Sequence, residues 1–346
     1  MDLTGLLGEL VDIPSPTGDE GTLARYVADR LDPVAEVSVH GNAVVARRNR
    51  DRPRIDLYGH LDTVPEQGNL PARIDGGRLH GLGASDMKAG LAVMIALVED
   101  DAVTDGPYDL AAVFYDREEG PAHENGLEAV LDAAPFLTDA ALAVVMEPTD
   151  NEIQLGCQGA LNATVRFTGR SAHSARPWHG ENAVTKAGAW LAEMHTREPV
   201  DVTVAGLRFR ETFAVTTAAG GIARNVIPAA FEVNLNHRFP PDRTLEQAEE
   251  RLRRVCAAAD DVEIVDRAAP APIPEGNPHL DRLIEVSGAI VTAKQAWTDV
   301  SRLAARGVPA LNYGPGDTAL AHRRDESVAL AALDESFTVL KRFLTQ

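Results

Sequence analysis

Residues 58–65 read Tyr-Gly-His-Leu-Asp-Thr-Val-Pro and follow a short apolar segment, residues 55–58, that we predict to be a β-strand. His60 and Asp62 leave the end of this strand two positions apart, so their side chains point to the same face. A neutral imidazole close to a carboxylate suits a divalent metal such as zinc. Asp62 does not easily reach the same metal as His60. We therefore expect its carboxylate to hydrogen-bond the outer ring nitrogen of His60. For this stretch alone, a His and an Asp in a solvated loop are the alternative.

A second stretch, Gly-Ala-Ser-Asp-Met-Lys at residues 83–88, resembles the first in placing an acid beside glycine and small residues. Asp86 ends this glycine-rich loop, and the apolar residues that follow predict a helix over Met87–Val98. Asp86 could equally be the N-cap of that helix, a role that needs no metal.

Two further predicted strands end in acidic residues. Leu110–Tyr115 is continuously apolar, which is typical of a strand buried on both faces of a sheet, and Glu118 and Glu119 follow it. Ala140–Met146 is a similar strand and leads directly into Glu147. In open α/β sheets the carboxyl ends of the strands are where ligands bind.

The amino-acid composition argues against several classes of function. The 346 residues are 45% hydrophobic, enough for a full-sized core, and 33 basic against 52 acidic residues give a net charge of −19. Such an acidic chain is expected to repel nucleic acid and anionic membranes. No signal peptide or membrane-spanning run is visible, and the two cysteines, Cys157 and Cys256, form no CxxC pair. We expect a cytoplasmic protein.

The pattern of elements changes near residues 156–159. From there the predicted order is β-α-β-β-β-α-β, which indicates a compact α+β, ferredoxin-like module inserted into a larger domain. Its second helix opens with a capping box, Thr244 with Gln247. We predict an α/β fold with a mixed, largely parallel sheet sandwiched by helices. The expected division is a catalytic domain in two parts, 1–157 and 268–346, with 158–267 as an inserted lid and dimerisation domain.

The polar residues at the strand ends form an inventory for two metal ions, with two imidazoles and several carboxylates: His60, Asp62, Asp86, Glu118, Glu119, Glu147 and His322. With these residues in place, the chain resembles the metallo-aminoacylase/carboxypeptidase family of two-zinc hydrolases. The matching stretches are GHLDTVP at 59–65, GASDMKAG at 83–90, EEG at 118–120, EPT at 147–149, and AH at 321–322 with DE at 325–326.

The resemblance implies a role for each matching residue. It implies two divalent metal ions, zinc by expectation with cobalt and manganese as alternatives. The implied ligands are His60 and Glu147 for one ion, Glu119 and His322 for the other, and Asp86 as a bridge. Asp62 would orient His60, and Glu118 would be the general base. The family also implies a cis peptide after Asp86.

The inserted module carries one further residue of interest, His173, in the segment Arg170–Arg176. In relatives the matching histidine reaches across a dimer and stabilises the oxyanion of the tetrahedral intermediate. The resemblance therefore implies a homodimer formed through the inserted module. A histidine in an ordinary turn is the alternative.

Candidate substrate-binding residues are Arg176, Arg224, Asn225, Arg238 and Gly314. Arginine binds carboxylates in a bidentate manner, which favours a small anionic N-acyl amino acid as substrate. The chain also resembles succinyl-diaminopimelate desuccinylases over nearly its full length, in the stretches 156–159, 170–176, 220–228, 297–299 and 312–317. This resemblance implies hydrolysis of N-succinyl-LL-2,6-diaminopimelate to succinate and LL-2,6-diaminopimelate in lysine biosynthesis. The alternatives are a deacylase of N-acetylornithine or another N-acyl amino acid, a dipeptidase or carboxypeptidase, and a non-catalytic binding relative.

Overall fold

A computed structural model describes residues 2–48 and 51–346 of the chain. Met1, the first residue of the expected segment 1–157, lies outside the described residues, as do Asn49 and Arg50. The strands are β1 (Glu36–His40), β2 (Ala43–Arg47), β3 (Arg54–His60), β4 (Arg73–Asp75), β5 (Arg78–His80), β6 (Asp109–Tyr115), β7 (Leu142–Val145), β8 (Ile153–Leu155), β9 (Gly159–Thr168), β10 (Val200–Val204), β11 (Leu207–Gly220), β12 (Ala230–Phe239), β13 (Asp261–Ala268), β14 (Val291–Ala293), β15 (Ala310–Asn312) and β16 (Ser327–Ala329).

The α-helices are α1 (Leu3–Asp12), α2 (Gly21–Leu31), α3 (Ala89–Glu99), α4 (Asp101–Asp105), α5 (Leu127–Ala133), α6 (Ala183–Lys186), α7 (Gly188–Thr196), α8 (Leu245–Val255), α9 (Pro278–Ser287), α10 (Val300–Ala305) and α11 (Leu330–Thr345). None of the helices within the described ranges combines the length and the apolar character that a membrane crossing needs.

The described chain forms two compact units. The first comprises Met1–Leu155, Ile273–Thr292 and Arg302–Gln346, and the second comprises Gly156–Pro272 and Ala293–Ser301. The catalytic and lid roles expected for these parts of the chain stay predictions.

The first unit is built on an eight-stranded sheet with the order β1-β2-β6-β3-β7-β15-β8-β14. Its four central strands, β6, β3, β7 and β15, are parallel, whereas β1, β2 and β8 pair antiparallel. Every residue of β3, β6 and β7 is buried. The apolar sequences of β7 and of β6 after Asp109 are typical of strands covered on both faces, whereas β3 also buries the polar residues Arg54, Asp56 and His60. The mixed, largely parallel sheet with helices is thus confirmed. The parallel strands bring the segments after β3, β6 and β7 to one edge.

Helix α3 packs against β3 and β6 and is buried through Val98. It begins at Ala89, two residues later than predicted, because both Asp86 (φ −122°, ψ 94°) and Met87 (φ −134°, ψ 37°) have non-helical conformations. The Asp86–Met87 peptide is cis. Asp86 is therefore held in an irregular segment before the helix, not in the helix N-cap.

The second unit contains a five-stranded antiparallel sheet with the order β10-β11-β12-β9-β13. Its core is formed by the buried faces of β9 and β12 together with Trp190 of α7 and Leu252 of α8. The capping box predicted for α8 is confirmed, since Thr244 and Gln247 satisfy each other's backbone N–H groups. The first helix of the predicted order is divided into two, α6 and α7.

Gly90 of α3 illustrates how tightly the first unit packs beneath its site edge. A Cβ at Gly90 would lie 2.5 Å from the carbonyl oxygen of Met146, whereas a Cβ at Gly8 of α1 would meet no atom within 4 Å. We expect Gly90→Ala to lower the free energy of unfolding by about 1–3 kcal/mol through overpacking. The control Gly8→Ala should raise it by roughly 0.5–1 kcal/mol, because alanine loses less backbone entropy in a helix. Urea unfolding of both variants measures the difference; equal effects of the same sign would contradict the packing described.

Candidate metal centre and active site

The candidate site lies in the first unit, at the carboxyl ends of the parallel strands. His60 is the last residue of β3, Glu118 and Glu119 follow the end of β6, and Glu147 follows the end of β7. Asp86 belongs to the irregular segment before α3. His322 follows a short 3-10 turn after β15 and has a left-handed backbone with φ 60°.

The side chains of these residues converge around Asp86. Its Oδ1 lies 3.1 Å from Nε2 of His60, and its Oδ2 lies 3.4 Å from Nε2 of His322. Nε2 of His60 is also 3.9 Å from Oε1 of Glu147, and Nε2 of His322 is 2.7 Å from Oε1 of Glu119. The two oxygens of one carboxylate thus face two different imidazoles, each of which has a second carboxylate beside it.

These donors suit a pair of divalent cations. The potential ligand atoms of His60, Asp86 and Glu147 all lie within 4.8 Å of one another, and so do those of Asp86, Glu119 and His322. The potential ligand atoms of His60, Glu118 and Glu119 also lie within 4.8 Å of one another. Nitrogen and carboxylate oxygen are the ligands that zinc, cobalt and manganese accept. The residues present therefore fit two cations that share Asp86.

The electrostatics of the site also favour cations. Burial by itself lowers the pKa of His60, but the carboxylates of Asp62 and Asp86 outweigh burial and hold that pKa well above its ordinary value. Hydrogen bonds to Asp86 and Glu119 raise the pKa of His322 to about 10. Desolvation would raise the pKa of Asp86, but the two imidazoles outweigh it and lower that pKa. The carboxylates thus create a negative potential in which positive charge is stabilised.

Asp62 contacts more of the site than His60, the one partner that the sequence predicted for it. Nδ1 of His60 lies 2.9 Å from the backbone oxygen of Asp62 and 3.5 Å from its Oδ1. The Asp62 carboxylate accepts the backbone N–H groups of Glu118 at 2.9 Å and Glu119 at 3.0 Å, and the hydroxyl of Thr17 at 3.0 Å. It therefore fixes the turn that carries two candidate site residues. Sequence reasoning missed both this contact and Thr17, because no local pattern shows which N–H groups meet a distant carboxylate.

The candidate residues of the second unit form two groups. His173 and Arg176 lie on a loop paired with the loop of Arg224 and Asn225, since Ser174 N–H donates to the Asn225 carbonyl at 2.9 Å. Ala175 N–H donates to Nδ1 of His173 at 3.0 Å, which leaves Nε2 as the ring donor when the ring is neutral. Both loops are exposed; the first follows the end of β9, and the second lies between β11 and β12.

Arg238 lies elsewhere in the second unit. It is on β12 and pairs in register with Ala160 at the start of β9, whereas the loop of Arg224 precedes Ala230 at the other end of β12. The eight residue steps from 230 to 238 span about 26 Å in an extended strand. The structure thus brings His173, Arg176, Arg224 and Asn225 together but separates Arg238 from them.

Gly314 requires a correction. Its N–H donates to the Thr149 hydroxyl at 3.0 Å and is buried, so it is not available for the substrate carboxylate that we expected it to bind. A Cβ at this position would lie 2.5 Å from the Met146 carbonyl oxygen and 2.6 Å from that of Glu147. Glycine is needed here because the backbone passes close to the segment that carries Glu147.

Known proteins resemble this chain in sequence over most of its length. A family model described as "Peptidase family M20/M25/M40" matches residues 57–346. The chain is 42% identical over 353 residues to a Mycobacterium tuberculosis protein named "Putative succinyl-diaminopimelate desuccinylase DapE", covering 99% of each. It is 38% identical over 361 residues to the succinyl-diaminopimelate desuccinylase of Corynebacterium glutamicum, covering 100% of this chain and 98% of that protein.

Solved structures share the fold. Aminopeptidase PepT from Bacillus cereus superposes with a TM-score of 0.80 at 18% identity, over 99% of this chain and 97% of that one. The YXEP protein of Bacillus subtilis, described as a dinuclear metal binding peptidase from the M20 family, superposes with a TM-score of 0.71 at 17% identity, over 99% and 96%. The protein is a metal-dependent amide hydrolase. With a family match that extends over most of its length, the chain belongs to peptidase family M20/M25/M40.

Proposed function

We propose that this enzyme hydrolyses N-succinyl-LL-2,6-diaminopimelate to succinate and LL-2,6-diaminopimelate. The proposal rests on two relatives named for this reaction, to which the chain is 42% and 38% identical over nearly its full length. The arginines of the second unit support it, because the substrate carries carboxylates at the succinyl group and at the amino acid.

For the metal centre we propose His60 and Glu147 as ligands of one cation, Glu119 and His322 as ligands of the other, and Asp86 as the shared ligand. The support is the pairing of each imidazole with one oxygen of Asp86. Zinc is the proposed ion, with cobalt and manganese as alternatives. When bound, such cations polarise the scissile carbonyl and make water a better nucleophile at neutral pH.

Glu118 is the proposed general base. Its carboxylate takes a proton from the water that attacks the acyl carbon, and it then gives that proton to the amine nitrogen as the C–N bond breaks. The products are the free carboxylic acid and the free amine. Asp62 supports this step by holding the backbone N–H groups of Glu118 and Glu119.

We propose that the enzyme is a homodimer in which His173 acts on the substrate of the partner subunit. The Nε2 donor of His173 suits an oxyanion. Arg176, Arg224 and Asn225 are proposed to contact the substrate from the same pair of loops, and Arg238 from the other end of β12. A small N-acyl amino acid does not extend over the length of β12. Because about 26 Å of strand separates the two groups, a site shared between two chains would bring both of them to one small substrate.

A substrate series tests the proposed reaction. The metal-stripped enzyme, reloaded with Zn²⁺, should hydrolyse N-succinyl-LL-2,6-diaminopimelate with the highest kcat/KM. The matched substrate N-propionyl-LL-2,6-diaminopimelate lacks only the succinyl carboxylate, and loss of one charged hydrogen bond should lower kcat/KM by roughly 10- to 100-fold. Amide loss is followed for both substrates, for N-acetylornithine and for a dipeptide. Faster hydrolysis of N-acetylornithine would reject the substrate but leave the chemistry intact.

The role of Glu118 is tested by Glu118→Gln, which keeps the shape but removes the base. We expect kcat to fall by about 10²- to 10⁴-fold, with the Zn²⁺ content of the purified protein unchanged. Glu124→Gln, an exposed change in the same loop, should keep parental kcat. A Glu118→Gln variant as fast as the parent would reject this mechanism and favour another base.

Mixing two inactive variants tests the role of His173 across the dimer. His173→Ala and Glu118→Gln should each be inactive alone. In co-refolded mixtures, half of the dimers carry one site with both groups intact, so about a quarter of the parental activity should return if exchange is random and the dimer is two-fold symmetric. His179→Ala, an exposed change in the same loop, should stay active. A monomer in sedimentation experiments, or mixed dimers without recovered activity, would contradict the proposal.

A further inference from the structure

Glu326 is a buried carboxylate for which the proposed reaction has no use. It is only 2% exposed and lies four residues after His322 in the chain. Its Oε1 accepts the backbone N–H groups of Ser85 and Asp86, both at 2.9 Å, and its Oε2 accepts that of Gly83 at 3.0 Å. Both oxygens of Glu326 are thus directed at the short segment that carries Asp86.

The segment needs these acceptors because its backbone is irregular. Gly83 is left-handed with φ 75°, and Asp86 is extended immediately before α3. The N–H groups of Gly83, Ser85 and Asp86 therefore do not join a regular helix or strand. A buried N–H group without an acceptor costs about 1–3 kcal/mol. One carboxylate satisfies all three groups, and it does so only while the segment keeps this conformation.

The same residue connects two parts of the site that are distant in sequence. The Glu326 carboxylate meets Asp86 across 240 residues, and its own carbonyl oxygen accepts Gly81 N–H at 3.1 Å. The strand that follows, β16, pairs with β5. These contacts attach the segment that carries His322 to the segment that carries Asp86.

We propose that Glu326 is a positioning residue for the metal centre. By fixing the backbone of Asp86, it keeps Oδ1 directed toward His60 and Oδ2 directed toward His322, at the 3.1 Å and 3.4 Å separations observed. Because Asp86 is the proposed shared ligand, a change at Glu326 weakens the binding of both cations. This inference rests on the metal centre assigned under the proposed function.

Glutamine is the informative replacement. Glu326→Gln keeps the size of the side chain, but its amide nitrogen is a donor and confronts at least one of the backbone N–H groups. Residues that orient metal ligands from outside typically change metal affinity by about 10- to 100-fold when they are mutated. We expect a loss of Zn²⁺ affinity of that size, measured by chelator competition on the metal-free protein well below its melting temperature.

Two controls separate this inference from the proposed function. Asp109→Asn removes another buried carboxylate of the first unit, at the opposite end of β6 from Glu118, and it should bind two Zn²⁺ ions like the parent. Asp86→Ala should lose affinity for both ions. If the parent binds no pair of Zn²⁺ ions, or Asp86→Ala binds like the parent, the proposed centre fails.

If Asp86→Ala weakens Zn²⁺ binding but a folded Glu326→Gln variant binds like the parent, the role of Glu326 is rejected and the centre stands. Circular dichroism of the metal-free proteins establishes folding. Should Glu326→Gln not fold, Glu326→Asp decides the question, since it keeps both acceptor oxygens but places them one methylene farther back. Weaker binding of Zn²⁺ by folded Glu326→Asp supports the inference, and parental binding overturns it.

Discussion

Negatively charged side chains are crowded together at the carboxyl ends of the parallel strands. Five carboxylates, those of Asp62, Asp86, Glu118, Glu119 and Glu147, lie around two imidazoles at one edge of a parallel sheet. Carboxylates this close repel one another unless positive charge or N–H donors lie between them. The imidazoles supply part of that compensation, as the raised pKa values of His60 and His322 indicate. The arrangement therefore suits a site for cations, which would supply the remaining compensation.

The scaffold holds these charges with backbone N–H groups. Asp62 accepts from the turn of Glu118 and Glu119, and Glu326 accepts from the segment of Asp86. In both cases a buried carboxylate from one part of the chain fixes a candidate ligand in another. Close packing beneath the site has the same effect, because Gly90 and Gly314 leave no room for side chains against Met146 and Glu147. The candidate ligands are thus positioned by residues that are not candidate ligands themselves.

In the second unit, the candidate substrate-binding residues lie at both ends of one sheet. His173 and its neighbours are on exposed loops at the end of β9, whereas Arg238 is half-buried near the start of that strand. A chain with a net charge of −19 does not attract an anionic substrate through its overall field. Local arginines must provide the attraction, and a two-chain site would allow both groups to contribute.

The amino-acid sequence by itself determined the fold class, the order of elements in the second unit, the capping box of α8 and the list of acidic and histidine side chains at the strand ends. These features depend on side-chain type and local periodicity, which a sequence displays directly. Only the tertiary structure decided where Asp62 and Glu326 direct their carboxylates, why Gly314 is a glycine, and that Arg238 is remote from Arg224. The first two depend on contacts between segments distant along the chain, such as the 240 residues between Glu326 and Asp86, and the third depends on the extended run of β12 from residue 230 to residue 238. Packing settles which buried N–H groups lack a local acceptor and which carboxylate meets them. No local pattern in the sequence records these pairings.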